Sequence, residues 1–140
     1  MKKSRIFLAL LLVCGFLTGC AEKSTEISAE TMREIAADWA EGLQTRDGEL
    51  RYQHMNEALQ KAFVEERKEI YGDDWNYVIG WSSPWVTSYD VETKGTTAVI
   101  TYIMEDSSTT VYTMQEMIQL GMENGKAVVI ASEEAEVICE

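Results

Sequence analysis

The hydrophobic period of this chain changes once, at its only proline, Pro84. Upstream, Met32, Ile35, Ala36, Trp39, Ala40 and Leu43 fall at steps of three, one, three, one and three, which lines one face of an α-helix. Downstream, Ala98, Ile100, Tyr102 and Met104 alternate with more polar neighbours, which puts them on one face of a strand. When helices come first and strands follow consecutively, the expected packing is an antiparallel sheet with the helices laid on one face, an α+β domain. A length of 140 residues suits a single such domain.

The element boundaries follow from local signals. Thr31 with Glu34 three residues later forms a capping-box signature for the first helix, and Asp47-Gly48 supplies a stop. Asp47 can cap a short second helix through Leu50, Tyr52, His54 and Met55. Asn56 with Glu57 then opens a third, presenting Leu59, Ala62, Phe63 and Ile70 and ending at Gly72; helices two and three can also run together. Tyr77 to Trp81 reads as a short strand or an aromatic cover over the core. Strands are expected over 86–92, 97–105, 110–120 and 127–131, the last two joined by the hairpin-forming pair Asn124-Gly125.

The N-terminus carries a separate signal. Lys2, Lys3 and Arg5 precede an apolar run over 6–17, the build of a secretory signal peptide; spanning a bilayer takes about 20 apolar residues, so the run is too short for a membrane helix. It ends in Leu17-Thr18-Gly19-Cys20, which resembles the lipobox of bacterial lipoproteins. That resemblance implies a diacylglycerol on the Cys20 thiol and cleavage after Gly19. Residues 1–19 are then the signal peptide, 20–29 a flexible tether and 30–140 the domain, held at the outer side of the cell membrane by its lipid. The alternative is an ordinary signal peptide with a chance cysteine.

Charge and cysteines divide the same way. The chain has 24 acidic and 12 basic residues, net −12; loss of Lys2, Lys3 and Arg5 with no acid leaves 9 basic residues and net −15. Such a surface repels phosphate backbones and anionic headgroups, so nucleic acid is not an expected partner and the membrane is met through the lipid alone. Cys14 leaves with the signal and Cys20 takes the lipid, which makes Cys139 the free thiol, an unpaired tail residue or a site of intermolecular pairing.

Three segments carry a family resemblance: the run from Trp39 to Gly48, Ser82-Ser83-Pro84-Trp85-Val86, and Glu123-Asn124-Gly125-Lys126. Together they resemble the small NTF2-like lipoproteins and extracellular domains of Gram-positive gut bacteria, over most of residues 30–135. The resemblance implies N-terminal helices packed on a curved antiparallel sheet of about four strands. Because the chain is short for a full NTF2-like cone, a cystatin-like helix-on-sheet arrangement is the alternative. The shared segments are structural punctuation, not catalytic signatures.

Several chemistries are excluded by residue type. His54 is the only histidine, no HExxH is present, and Asp73-Asp74-Trp75-Asn76 lacks the glycine and glutamate of a calcium loop. Gly80-Trp81-Ser82-Ser83-Pro84 has proline where GxSxG needs its second glycine, and nucleotide-binding glycine loops are absent. No metal or other cofactor is expected. The resemblance leaves pocket chemistry, in which a carboxylate works in an apolar cone with tyrosine or histidine assisting.

Glu116 is the suggestive residue: it shares the alternating face of Tyr112, Met114, Ile118 and Leu120, where a carboxylate is costly unless paired or functional. A β-bulge near Gln115 would turn Glu116 outward and Met117 inward, and that is the expected arrangement. His54 is expected as a hydrogen-bonded edge residue and Asp90 as a solvated strand residue. Trp39 and Tyr102 are expected to face the same helix–sheet space. There the aromatics, including Trp75, Trp81 and Trp85, either line a ligand cavity or fill it as core.

Three readings of function follow. The first is a non-catalytic binding domain for a small apolar ligand or an envelope protein, regulatory by analogy, with Trp39, Tyr52, His54, Tyr102 and Glu116 as its binding residues. The second is a small lyase or isomerase using Glu116, Tyr102 or His54. The third is an assembly unit, a homodimer through the exposed sheet face, as the resemblance implies.

Overall fold

The computed structural model describes residues 26–134 and the backbone of 138–139. The signal segment, Cys20, residues 20–25 of the tether and the Cys139 side chain lie outside the described residues.

Three helices come first: α1 (Ala29–Thr45), α2 (Gly48–Tyr52) and α3 (Glu57–Tyr71), the last followed by a 3₁₀ turn over Gly72–Asp74. The α1 cap is Ser28, whose Oγ accepts from the Thr31 N–H at 3.0 Å, so Thr31 sits inside the helix it was expected to open. The stop also lies earlier than Asp47-Gly48. Arg46 takes the left-handed conformation at φ 61°, and its N–H and that of Asp47 donate to the carbonyls of Leu43 (3.2 Å) and Gly42 (2.8 Å). Asp47 is thereby free to cap α2, its Oδ1 accepting from Glu49 N–H at 2.9 Å.

Gly48 is required for another reason. A Cβ there would lie 2.8 Å from Ile79 Cγ2 and 2.9 Å from Phe63 Cζ and would collide with the Tyr77 carbonyl, which accepts from the Gly48 N–H. This close approach lays the 77–79 segment against the start of α2. That segment forms no strand, only a bridge from Val78 to Asp47, and Tyr77 packs on Tyr52, Phe63 and Trp75. It is the aromatic cover of the two alternatives.

Helices α2 and α3 are separate. Asn56 caps α3 by accepting from Leu59 N–H at 2.9 Å, and the turn between them is tied to residue 129 by His54 O (2.7 Å) and Asn56 N–H (3.0 Å). On α3 only Phe63 is buried; Ala62 and Ile70 are exposed, against expectation. The second half of α3 is tied to the 77–79 segment by Arg67, which donates to the Val78 carbonyl at 2.8 Å.

The sheet comprises β1 (Trp85–Lys94), β2 (Thr97–Glu105), β3 (Val111–Glu123) and β4 (Lys126–Glu134), antiparallel in the order β1-β2-β3-β4. A short β5 (Ile138–Cys139) pairs with β3 at Tyr112 and Thr113, so the backbone of Cys139 is part of the ladder. In the β3–β4 turn Asn124 and Gly125 both have positive φ (52° and 78°), the conformation for which an Asn-Gly pair is selected. The buried face of α1 (Met32, Ile35, Ala36, Trp39, Ala40 and Leu43) packs on Val86, Ala98, Ile100, Tyr102, Met104, Met114, Ile118, Leu120 and Val129. The molecule is an α+β domain with its helices against one face of an open antiparallel sheet.

The expected bulge at Gln115 is absent. β3 stays in register with β2 from Val111 to Gln119, and its irregularity lies between Gln119 and Leu120 on the β4 side. Alternation therefore runs unbroken through Glu116, which is 2% exposed, while Met117 is 43% exposed on the outer face. The carboxylate is inward because a cation waits for it there.

Candidate functional site

Four elements each deliver one side chain to a single buried point. Trp39 comes from the buried face of α1, Arg51 from α2, Tyr102 from β2 and Glu116 from β3; all are less than a tenth exposed. Arg51 and Glu116 form a two-pronged ion pair, Nη2 to Oε2 at 2.8 Å and Nη1 to Oε1 at 3.2 Å. The Trp39 indole Nε1–H donates to Oε1 at 2.8 Å and the Tyr102 hydroxyl to Oε2 at 2.8 Å. Each carboxylate oxygen thus accepts two hydrogen bonds, which uses the acceptor capacity of the group.

Arg51 is equally engaged. Its Nε–H donates to the Trp39 carbonyl at 2.9 Å, its Nη2 also donates to the Tyr102 hydroxyl at 3.0 Å, and the guanidinium carbon lies 4.9 Å from the Trp39 ring centroid. Burial holds the Tyr102 phenol well above its usual range; Arg51 opposes that shift, and the adjacent Glu116 carboxylate reinforces it. Tyr102 therefore stays protonated at neutral pH and acts as a hydrogen-bond donor.

Above this network opens a cleft of about 710 Å³, floored by Trp39, Arg51 and Glu116. Phe63, Arg67, Ile70 and Tyr71 of α3 form one wall; Ile79, Gly80 and Trp81 form another, with Ser132 and Glu134 of β4 at the sheet side. The Arg67 guanidinium lies over the rings of Phe63 (5.6 Å) and Tyr71 (5.8 Å) and 3.4 Å from a Glu66 carboxylate oxygen. The volume falls within the range of small-molecule sites, and the lining mixes aromatic and aliphatic side chains with charged ones.

Of the expected binding residues, Trp39, Tyr102 and Glu116 come together. Tyr52 does not join them; its ring packs 5.7 Å from Phe63 and 5.4 Å from Tyr77, behind the cleft wall. His54 lies elsewhere too, its Nε2 2.8 Å from Asp38 Oδ2 in a shallow recess with Thr31, Glu34 and Lys126. It is a hydrogen-bonded edge residue, as its sequence position suggested. Asp90 is exposed, Trp75 half-buried, and Trp85 exposed away from the cleft; of the tryptophans, Trp39 and Trp81 line it.

Arg51 is the residue that sequence reasoning missed. It sits between Leu50 and Tyr52 in a short helix whose apolar neighbours drew the argument. The signal that points to it is indirect: an inward glutamate on β3 requires a cation from the layer above.

No family model, curated protein or solved structure matches this chain. Among the described residues no helix is long and apolar enough to cross a membrane.

Proposed function

We propose that this protein is a lipid-anchored extracellular domain of NTF2-like or cystatin-like build that binds a small, largely apolar molecule in its helix–sheet cleft without transforming it. The observation that carries this reading is the cleft of about 710 Å³ standing on a closed, charge-balanced floor. A general base needs a free lone pair, and those of Glu116 are all engaged. A general acid needs a proton it can release near neutral pH, and Tyr102 holds its proton tightly. A network saturated in this way fixes the shape of the cleft and leaves recognition to the side chains above it, a binding role and not a catalytic one.

The lyase or isomerase reading draws on one feature, a buried Glu116 beside an open cleft. It requires the carboxylate to leave Arg51 during turnover, and His54 lies in a different recess from Glu116.

The test uses a neutral apolar fluorophore such as Nile red. Wild-type protein is expected to enhance and blue-shift its emission, and Ile79→Trp, which fills the cleft beside Phe63, to abolish the change while leaving the circular dichroism spectrum intact. Equal enhancement by both proteins places the dye elsewhere and overturns the reading.

A further inference from the structure

We propose that the cleft selects an organic cation, a protonated amine or quaternary ammonium carried on an apolar body. The inference rests on the binding reading above and adds the charge of what is bound. Glu116 and Glu134 stand directly opposite each other in the β3–β4 register, so two carboxylates share the inward face at this end of the sheet. Arg51 neutralises the first. The second, Glu134, lines the cleft, is exposed, and has no ion-pair partner among the described residues.

The other cation of the lining is already committed. Arg67 donates to the Val78 carbonyl, approaches Glu66 and lies over two aromatic rings. After these pairings the lining keeps one uncompensated negative charge, Glu134, within a chain whose net charge is −12. Trp81 lines the cleft at 48% exposure with no cation over its ring among the described residues, and an aromatic ring face attracts cations. An excess of negative charge around a concavity concentrates cations in it. The competing outcome is an anion drawn by the Arg67 Nε–H, which is buried without a hydrogen-bond partner.

The experiment is calorimetric titration at neutral pH and low salt with three probes on one phenylethyl body: 2-phenylethylammonium, 3-phenylpropionate and 2-phenylethanol. The amine is expected to bind about tenfold more tightly than the alcohol, and the carboxylate more weakly than either. Glu134→Gln should remove most of the amine's advantage over the alcohol; Trp81→Ala should weaken both. If the alcohol or the carboxylate binds as well as the amine, the cation inference fails while the binding reading stands. If none of the three binds at about 10 mM, the binding reading falls as well.

Discussion

Glu116 is a carboxylate at 2% exposure, and its tolerance there depends on Arg51. Taking one partner from a buried pair leaves an uncompensated charge and costs about 3–5 kcal/mol, whereas replacing both by apolar groups of similar volume is often close to neutral. Arg51→Met is therefore expected to lower unfolding stability by about 3–5 kcal/mol in urea titrations, and the double variant Arg51→Met/Glu116→Leu to recover a substantial part of the loss. A double variant as unstable as the sum of its singles would show that the two residues act independently. Tyr102 makes a pH prediction. Because burial raises its folded-state pKa above the unfolded value, its contribution to stability is complete below about pH 10 and is lost as pH rises beyond it. In an alkaline absorbance titration one phenol should ionise only as the protein unfolds, and Tyr102→Phe should remove that late step.

At the level of elements, the cleft exists because the 77–79 segment can lie on the first turn of α2. That contact is permitted by Gly48, where a methyl group would meet Tyr77, Ile79 and Phe63 together. Gly48→Ala should cost about 1–3 kcal/mol, the usual penalty for overpacking, although alanine is the better helix former. It should also move the wall formed by Ile79 and Trp81, weakening Nile red binding more than the stability loss alone explains. A neutral or stabilising Gly48→Ala would mean that the segment is not held there. Asp47 was legible as the cap of the second helix, and it caps α2. The reading of Asp47-Gly48 as the stop of the first helix fails, because that stop is made by Arg46, a residue with no turn preference of its own, and the close contact at Gly48 has no local signature.

The whole molecule joins a helix layer and an open sheet, with an acidic surface and an N-terminal cysteine motif outside the described residues. If Cys20 carries the lipid, Cys20→Ser should move to the soluble fraction those molecules whose signal is cleaved elsewhere, while molecules that keep the apolar 6–17 run stay with the membrane. Continued sedimentation of the cleaved form with membranes would count against the anchor. The acidic surface sharpens this experiment: a chain at net −12 has little electrostatic attraction to an anionic bilayer, so loss of the lipid should not be masked by charge-driven adsorption.

The order and type of the elements, the inward faces of α1 and β2, and the Asn124-Gly125 hairpin were determined by the sequence alone. Each depends on a period or turn preference that acts within a few residues. The inward face of β3 was equally legible as a pattern, yet at Glu116 the pattern was overruled by the expectation that an unpaired carboxylate turns to solvent. Only the tertiary structure could decide that point, because the partner lies 65 residues away on a five-residue helix. No local rule connects α2 to β3. The packing of Gly48 on the 77–79 segment and of α1 on the sheet brings Arg51 over Glu116, and the energy of that meeting is a property of the assembled interior.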